Sequence, residues 1–544
     1  MSFVSEAKAW LDQDPDPKTR AELEELLAEG NLSELKSRFE ATLQFGTAGL
    51  RGELGAGPNR MNRIVVARAA LAIARFLKFN RDTYQTPNSE LLVVIGFDGR
   101  ENSEVFAKDS AGIISAQGIR VKLFESIVPT PVAAFTGKSL EASATIMVTA
   151  SHNPPRDNGY KVYLGGPMGS SQLVPPQDSE IAEQIQQVSS EFTFEQIPQF
   201  GNYEMAGAPE VSRYVQRAKG LVELTDSRRA DLRITHTALH GVGWSVISEL
   251  FEELGFNLAP VEQQREPDPA FPTVSFPNPE EAGAMDLAFA HAREYSSDLI
   301  LANDPDADRL AVAVPTETGW QMLTGDQVGL ILAEVTASKA RAGNLANSIV
   351  SADISQLAAA HNLGYEQTLT GFKWISKVPK LVYGYEEALG YCVDPEFTPD
   401  KDGITAALLI AQLAAELKSE GSNLLEYLVS LQNKYGHLAT SQVSIRVTDL
   451  SIIAKTMESL RENPPAAFED RELVTNDLLH SDNPADALVV SGDGVKLIFR
   501  PSGTEPKLKC YVQFSAENSD LAAAGISRLR EFATGLIDAA QQNA

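Results

Sequence analysis

At 544 residues the chain is too long for one hydrophobic core, and its length calls for roughly three to five domains. With 43% hydrophobic and 22% charged residues it reads as an ordinary globular protein, and its 46 basic against 73 acidic side chains give a formal charge of −27, which repels nucleic acid and anionic membrane surfaces. The two distant cysteines, Cys392 and Cys510, make no disulfide framework, no apolar run reaches the roughly 18 residues of a membrane span, and the first residues lack a signal-peptide pattern, so a cytoplasmic location is expected.

Residues 1 to about 40 place apolar and charged residues at helical spacing, as in Ala21-Glu22-Leu23-Glu24-Glu25-Leu26-Leu27, and predict a solvent-facing helical extension without chemistry of its own. Phe45-Gly46-Thr47-Ala48-Gly49-Leu50-Arg51-Gly52 comes next. Its glycines let backbone amides approach an anion and Arg51 offers a planar donor fork, although a plain turn has the same composition. Helical spacing from Val65 to Phe79 and around Phe106 to Gln117 alternates with the apolar runs Leu91-Leu92-Val93-Val94-Ile95 and Val121-Lys122-Leu123-Phe124. Such alternation predicts a parallel sheet with loops gathered at the carboxyl ends of its strands. The run Ala144-Thr145-Ile146-Met147-Val148 then feeds Thr149-Ala150-Ser151-His152-Asn153-Pro154. That order places a hydroxyl at a strand end, where a nucleophilic serine belongs; a hydrogen-bonded turn explains the same residues.

A polar, proline-bearing stretch near Gln196 to Pro209 marks the first boundary, and a second α/β unit follows. Its His240 reads as a structural loop histidine, and Pro267 to Pro279 as an ordered crossing loop. The strand Leu299-Ile300-Leu301-Ala302-Asn303 leads into Asp304-Pro305-Asp306-Ala307-Asp308-Arg309. Three carboxylates at alternate positions can supply hard oxygen ligands to a divalent cation, and after a buried strand they repel one another unless a cation neutralises them. Arg309 and Pro315 stand where a calcium hand needs glycine and glutamate, which excludes that motif. A third unit begins near Gly319 and includes the strand Ser348-Ile349-Val350, the loop Thr370-Gly371-Phe372-Lys373, then Gly384-Tyr385-Glu386-Glu387-Ala388-Leu389-Gly390 and Lys401-Asp402-Gly403. The last unit carries Phe499-Arg500-Pro501-Ser502-Gly503-Thr504-Glu505-Pro506-Lys507-Leu508-Lys509, either an anion cradle or a turn between strands. The expected domains are 1–208, 209–317, 318–438 and 439–544.

Four of these motifs, in this order, resemble those of the α-D-phosphohexomutase superfamily, the phosphoglucomutase and phosphomannomutase enzymes. The resemblance implies an α/β fold with the four-domain phosphohexomutase architecture: three mixed α/β domains plus a smaller C-terminal α+β domain. It implies a phosphoserine at Ser151, with Arg51, His152, Lys161 and Lys401 binding phosphate or moving protons. Mg²⁺ would be held by Asp304, Asp306, Asp308 and an oxygen on Ser151. Arg309, Thr370, Gly371, Lys373, Glu386 and Ala388 would meet the sugar, and Arg500, Ser502, Gly503, Thr504 and Lys507 its distant phosphate.

Pro305 and Ala307 replace the glycines of the family's D-G-D-G-D-R loop, and Ala388 replaces the serine of its G-E-x-S sugar loop. That pattern resembles the branch holding phosphopentomutases and glucose 1,6-bisphosphate synthases. The activity implied is transfer of a phosphoryl group between the 1 and 6 positions of a hexose, glucose or mannose, through a sugar bisphosphate, with a small phosphosugar as the partner. A phosphopentomutase and a glucose 1,6-bisphosphate synthase stay open as readings. So do a phosphatase with Asp304 as nucleophile and a phosphosugar sensor without turnover.

Overall fold

The computed structural model describes residues 3–44, 49–223, 225–447, 450–481, 483–501 and 507–542. Leu92–Phe97 and Ala144–Val148 are buried along their whole length, because helices cover both faces of their sheet and no alternation of polar residues is needed. They pair in parallel, with Arg120–Phe124 on the far side of Leu92–Phe97 and the antiparallel strand Asp157–Leu164 beside Ala144–Val148. Leu50–Glu53 closes one edge of this sheet and Glu204–Ala206 the other. The stretch read as a boundary at 196–209 therefore still contains a strand of the first sheet. Helix Arg63–Phe79 packs against the sheet, and the Asn62 side chain caps it by accepting from the Val65 amide.

The helices Phe3–Gln13, Pro17–Glu29 and Leu32–Phe39 correct the expectation of a solvent-facing extension. Ala7, Trp10, Leu23, Leu35 and Phe39 are buried in the core of the first unit. Arg38, 5% exposed, ties two of these helices together through Glu22 and Glu34, both at 2.8 Å. Charged residues are as numerous as apolar ones in this segment, but one apolar stripe per helix suffices to dock it.

The second sheet runs in the order Gly319–Met322, Leu310–Thr316, Leu299–Asn303, Arg233–Thr237, Asn257–Pro260. Since Gly319–Met322 pairs with Leu310–Thr316, this sheet extends past residue 317. The third sheet comprises Gly364–Thr368, Asn344–Ser348, Leu381–Glu386 and Gly390–Cys392. Its strand ends at Ser348 rather than Val350. Ile349 and Val350 are apolar for another reason: Val350 is buried against Leu478, Val489, Ile498 and Tyr511 of the fourth unit. That unit is an antiparallel sheet of His437–Arg446, Lys507–Ala516, Val495–Pro501, Leu488–Gly492 and Val474–Asp477, backed by helices Leu450–Glu462 and Ser519–Gln542. Among the described residues no helix is long and apolar enough to cross a membrane.

Candidate active site

Ser151 sits at the carboxyl end of Ala144–Val148 with a φ of 51°, a left-handed conformation that costs a non-glycine residue energy and persists only where neighbours impose it. The Thr149 hydroxyl accepts from its amide at 2.9 Å. Arg100 imposes the rest: its guanidinium donates to the carbonyls of Ser151 at 2.5 Å, Asn153 at 2.7 Å, Pro154 at 2.8 Å and Asp157 at 3.1 Å. The Ser151 hydroxyl, thus aimed, donates to Asp304 Oδ2 at 2.6 Å and lies 3.2 Å from His152 Nδ1. Burial, reinforced by Arg309, Arg51 and Lys401, pushes the His152 imidazole well below its usual pKa and keeps it neutral. Arg51 donates to the Asn153 side chain at 3.0 Å, which brings it to the same loop.

Asp304, Asp306 and Asp308 follow the buried strand Leu299–Asn303, and all three are fully buried, with carboxylate oxygens within 4.8 Å of one another. Ala307, between two of them, takes a φ of 58° in place of the glycine the family prefers. The loop is held from two units. Thr130 donates its hydroxyl to Asp306 Oδ2 at 2.6 Å and its amide to the Asp306 carbonyl at 2.9 Å, and the Val242 amide donates to the Pro305 carbonyl at 2.8 Å. Gly241 lies so close to the Pro305 backbone that a Cβ there has no room. We expect Gly241→Ala to destabilise the protein by about 2 kcal/mol or more, because the obstacle is main chain and cannot swing aside. Urea unfolding checks this, and an unchanged midpoint would show that the loop is not pinned there.

Two lysines meet these acids. Lys161 Nζ is 2.6 Å from Asp306 and 2.7 Å from Asp308, and Lys401 Nζ is 2.6 Å from Asp308. Burial alone raises a carboxyl pKa, but at Asp308 Lys161, Lys401 and Arg309 outweigh it and hold the group far below its usual range. At Asp304 burial and the negative charge of Asp306 and Asp308 outweigh Arg309, and the group is pushed up. The chain neighbours of Lys401 are anchored: Asp400 accepts from Tyr163 at 2.7 Å and Gln172 at 2.8 Å, and Asp402 accepts from Tyr214 at 2.8 Å. One oxygen each of Asp306 and Asp308 is buried with no hydrogen-bond partner. Unpaired hard oxygens on a buried anionic cluster fit a divalent cation.

Glu386 ends the strand Leu381–Glu386 and accepts from the Gly371 amide at 2.8 Å, which joins the two loops read as sugar-binding. Thr370 accepts from Ser348 at 3.3 Å, Lys373 lies over the Trp374 ring, and Ala388 brings no polar group. Arg309 is 3.9 Å from Asp308 and pairs its backbone with Gly390, so it links the acidic loop to this sheet. Of the phosphate segment, Arg500 and Lys507 lie on the paired strands Val495–Pro501 and Lys507–Ala516, while Ser502, Gly503 and Thr504 lie outside the described residues, as do 45–48 of the first glycine-rich motif. Sequence reasoning missed Arg100, Thr130, Tyr163, Asp400 and Glu387. An Asp-Gly-Arg directly after a buried strand was the available signal for Arg100; nothing local marked the others.

Burial beside Glu386 and Asp326 pushes the Glu387 carboxyl up to about 8, with the Ser351 hydroxyl donating to it at 3.0 Å. A raised folded-state value means that its protonated form is the stabilised one. Its contribution is complete below the ordinary value of 4.5 and is lost as pH rises towards about 8. Glu387→Gln should therefore flatten the fall in stability across that window in denaturant titrations; equal slopes in both proteins would refute the shift.

The family's alpha/beta/alpha domains I, II and III match residues 42–192, 212–319 and 324–434, more than half of the chain. A Haemophilus influenzae protein named "Probable phosphomannomutase" is 43% identical across 83% of this chain and 92% of its own length. Human phosphopentomutase is 33% identical across 95% of this chain and 92% of its own length. Among solved structures, parafusin, a phosphoglucomutase from Paramecium, matches with a TM-score of 0.71 at 17% identity, across 92% of this chain and 96% of that one. Fold, site and relatives define a phosphosugar mutase, an isomerase that works by phosphoryl transfer. The chain belongs to the phosphoglucomutase/phosphomannomutase family.

Proposed function

We propose that the chain moves a phosphoryl group between the 1 and 6 positions of a hexose, with Ser151 as the residue that carries it. The observation behind this is the 2.6 Å contact between the Ser151 hydroxyl and Asp304, which joins a strained strand-end serine to the acidic loop. Asp304, Asp306 and Asp308 would hold Mg²⁺, and the charge it would bring is the kind that neutralises a transferring phosphoryl group. In the forward half-reaction the bond from phosphorus to Ser151 Oγ breaks as one to the sugar oxygen forms, and the proton of the sugar hydroxyl ends on Oγ. The neutral imidazole of His152, 3.2 Å from Oγ, is in reach to carry that proton, while Asp304, closer at 2.6 Å, belongs to the acidic cluster. Lys161, which Asp306 and Asp308 hold as an ammonium against the pull of burial, suits the equatorial oxygens instead. The bisphosphate so formed turns over and returns its other phosphate to Ser151, while Arg500, Lys507 and the 502–504 segment grip the phosphate not reacting. Arg309, Thr370, Gly371, Lys373 and Glu386 face the sugar.

Ala388 favours a second reading. A loop without the serine hydroxyl has one contact fewer for a hexose ring, and human phosphopentomutase, acting by its name on a pentose, aligns over nearly the whole chain. A phosphorus NMR panel of the 1-phosphates of glucose, mannose, ribose and deoxyribose, with Mg²⁺ and a trace of sugar bisphosphate, separates these readings. Higher kcat/KM for the hexoses supports the first, and higher values for the pentoses replace it with the second. Net accumulation of bisphosphate from an acyl-phosphate donor would instead mark a glucose 1,6-bisphosphate synthase. Four unchanged sugars with Ser151 phosphorylated would leave the sensor.

A further inference from the structure

The clamp on Ser151 is completed from outside its own unit. Arg100 makes all four hydrogen bonds to the Ser151 loop from Nη1 and Nη2, whose N–H bonds point outward in the guanidinium plane, and the side chain is 1% exposed. Donors in that plane, with Asp98 Oδ2 3.5 Å from Nε, hold the edge of the guanidinium and leave its faces free, so a contact on a face adds a further restraint on its tilt. That contact is Phe271, whose ring centroid is 4.9 Å from Arg100 Cζ.

Phe271 belongs to the proline-bearing loop 267–279 of the second unit. Its own backbone is strained, with a φ of 47°, and its neighbours enforce that conformation. His240 meets the ring edge-on, with centroids 6.5 Å apart. The His240 amide donates to the Gln264 carbonyl at 2.9 Å, its carbonyl accepts from the Asp268 amide at 3.1 Å, and its Nε2 is 2.8 Å from the Thr273 hydroxyl. A few residues earlier, Pro267 lies against Gly99, where an added Cβ would come within 3.0 Å of it. The loop thus rests on both Gly99 and Arg100.

We propose that Phe271 is a positioning residue for phosphoryl transfer at Ser151, acting through Arg100. It keeps the guanidinium at the tilt at which all four carbonyls of the Ser151 loop are bound, and so fixes the direction of the Ser151 hydroxyl towards Asp304. The unit that supplies the acidic loop thereby also sets the geometry of the serine in the first unit. This inference rests on the reading of Ser151 as the phosphoryl carrier.

The test compares Phe271→Ala and Phe271→Tyr with the wild type in the full chain. It follows Ser151 phosphorylation by glucose 1,6-bisphosphate in single turnover, steady-state kcat and KM, and amide exchange of residues 151–157. Phe271→Ala should slow transfer by roughly 30- to 100-fold, as expected for a reacting group displaced by a fraction of an ångström. KM should stay within about threefold, since no sugar contact is lost. Exchange at 151–157 should speed up, and Phe271→Tyr, which keeps the ring, should restore both. Wild-type rates in Phe271→Ala, a change confined to KM, or no recovery in Phe271→Tyr would each overturn the inference. Should Phe271→Ala not fold, Phe271→Leu, close in volume but without the π face, is judged by the same results. If the wild type takes up no phosphate on Ser151, the proposed function fails by itself. Exchange in Phe271→Ala then still decides the coupling, and unchanged exchange at 151–157 rejects it.

Discussion

Replacing Ser151 by alanine should lower phosphosugar interconversion by at least about 10⁴-fold while the chain stays folded, a loss typical of removing a covalent nucleophile. The structure separates the two effects. The main-chain contacts that shape the loop come from Thr149 and Arg100 and survive the substitution. The hydrogen bond to Asp304 and the longer contact with His152 Nδ1 disappear, a loss of about 1 to 2 kcal/mol together. Phosphorus NMR of turnover and mass spectrometry of the intact protein check both halves. Residual turnover within about tenfold of wild type, well short of a nucleophile's share, would remove Ser151 from the reaction. If the variant still acquired phosphate labile to hydroxylamine, Asp304 would take its place as an aspartyl-phosphate nucleophile.

The second large effect concerns Asp308. Lys161 retains Asp306 when Asp308 is lost, but Lys401 loses its 2.6 Å carboxylate partner in a buried setting. Removing one member of a buried ion pair costs about 3 to 5 kcal/mol, because the remaining charge stays desolvated. Asp308→Ala should therefore lose both activity and stability. A chelator acting on wild type should not have the second effect: with the metal gone, the two lysines already neutralise the acidic cluster, so the thermal midpoint stays nearly fixed while turnover collapses. Calorimetry with and without chelator reads this directly. Unfolding on chelation would mean that the lysines do not stand in for the cation, and the reading of the cluster as self-compensating would fall.

Much of the site was legible because its chemistry is local in the chain. Three acids at alternate positions after an apolar strand, and a serine with a histidine at the end of another, are patterns confined to a few residues, and strand ends in a mostly parallel sheet bring such loops together. The parallel α/β character followed from the alternation of helical spacing and continuous apolar runs, and the four-domain architecture from the resemblance of the motifs. Other expectations failed where one local pattern has two tertiary causes. Val350 looked like the end of a strand, yet its burial comes from the fourth unit. The N-terminal helices looked solvent-facing, yet one apolar stripe on each, marked by Trp10, Leu23 and Leu35, docks them into the first core.

The sequence by itself determined the family, the acidic triad, the strand-end serine and the missing hydroxyl at position 388, since each depends on residue identity at short spacing. Tertiary structure alone decided what holds these groups. Thr130 reaches Asp306 across 176 residues of chain, and Tyr163 reaches Asp400 across 237. Arg100 reads four carbonyls that carry no mark of side-chain type. A hydrogen bond to a backbone carbonyl, or between residues so far apart, leaves no periodicity and no motif; it exists only once packed sheets bring the two atoms within 3 Å or so of one another.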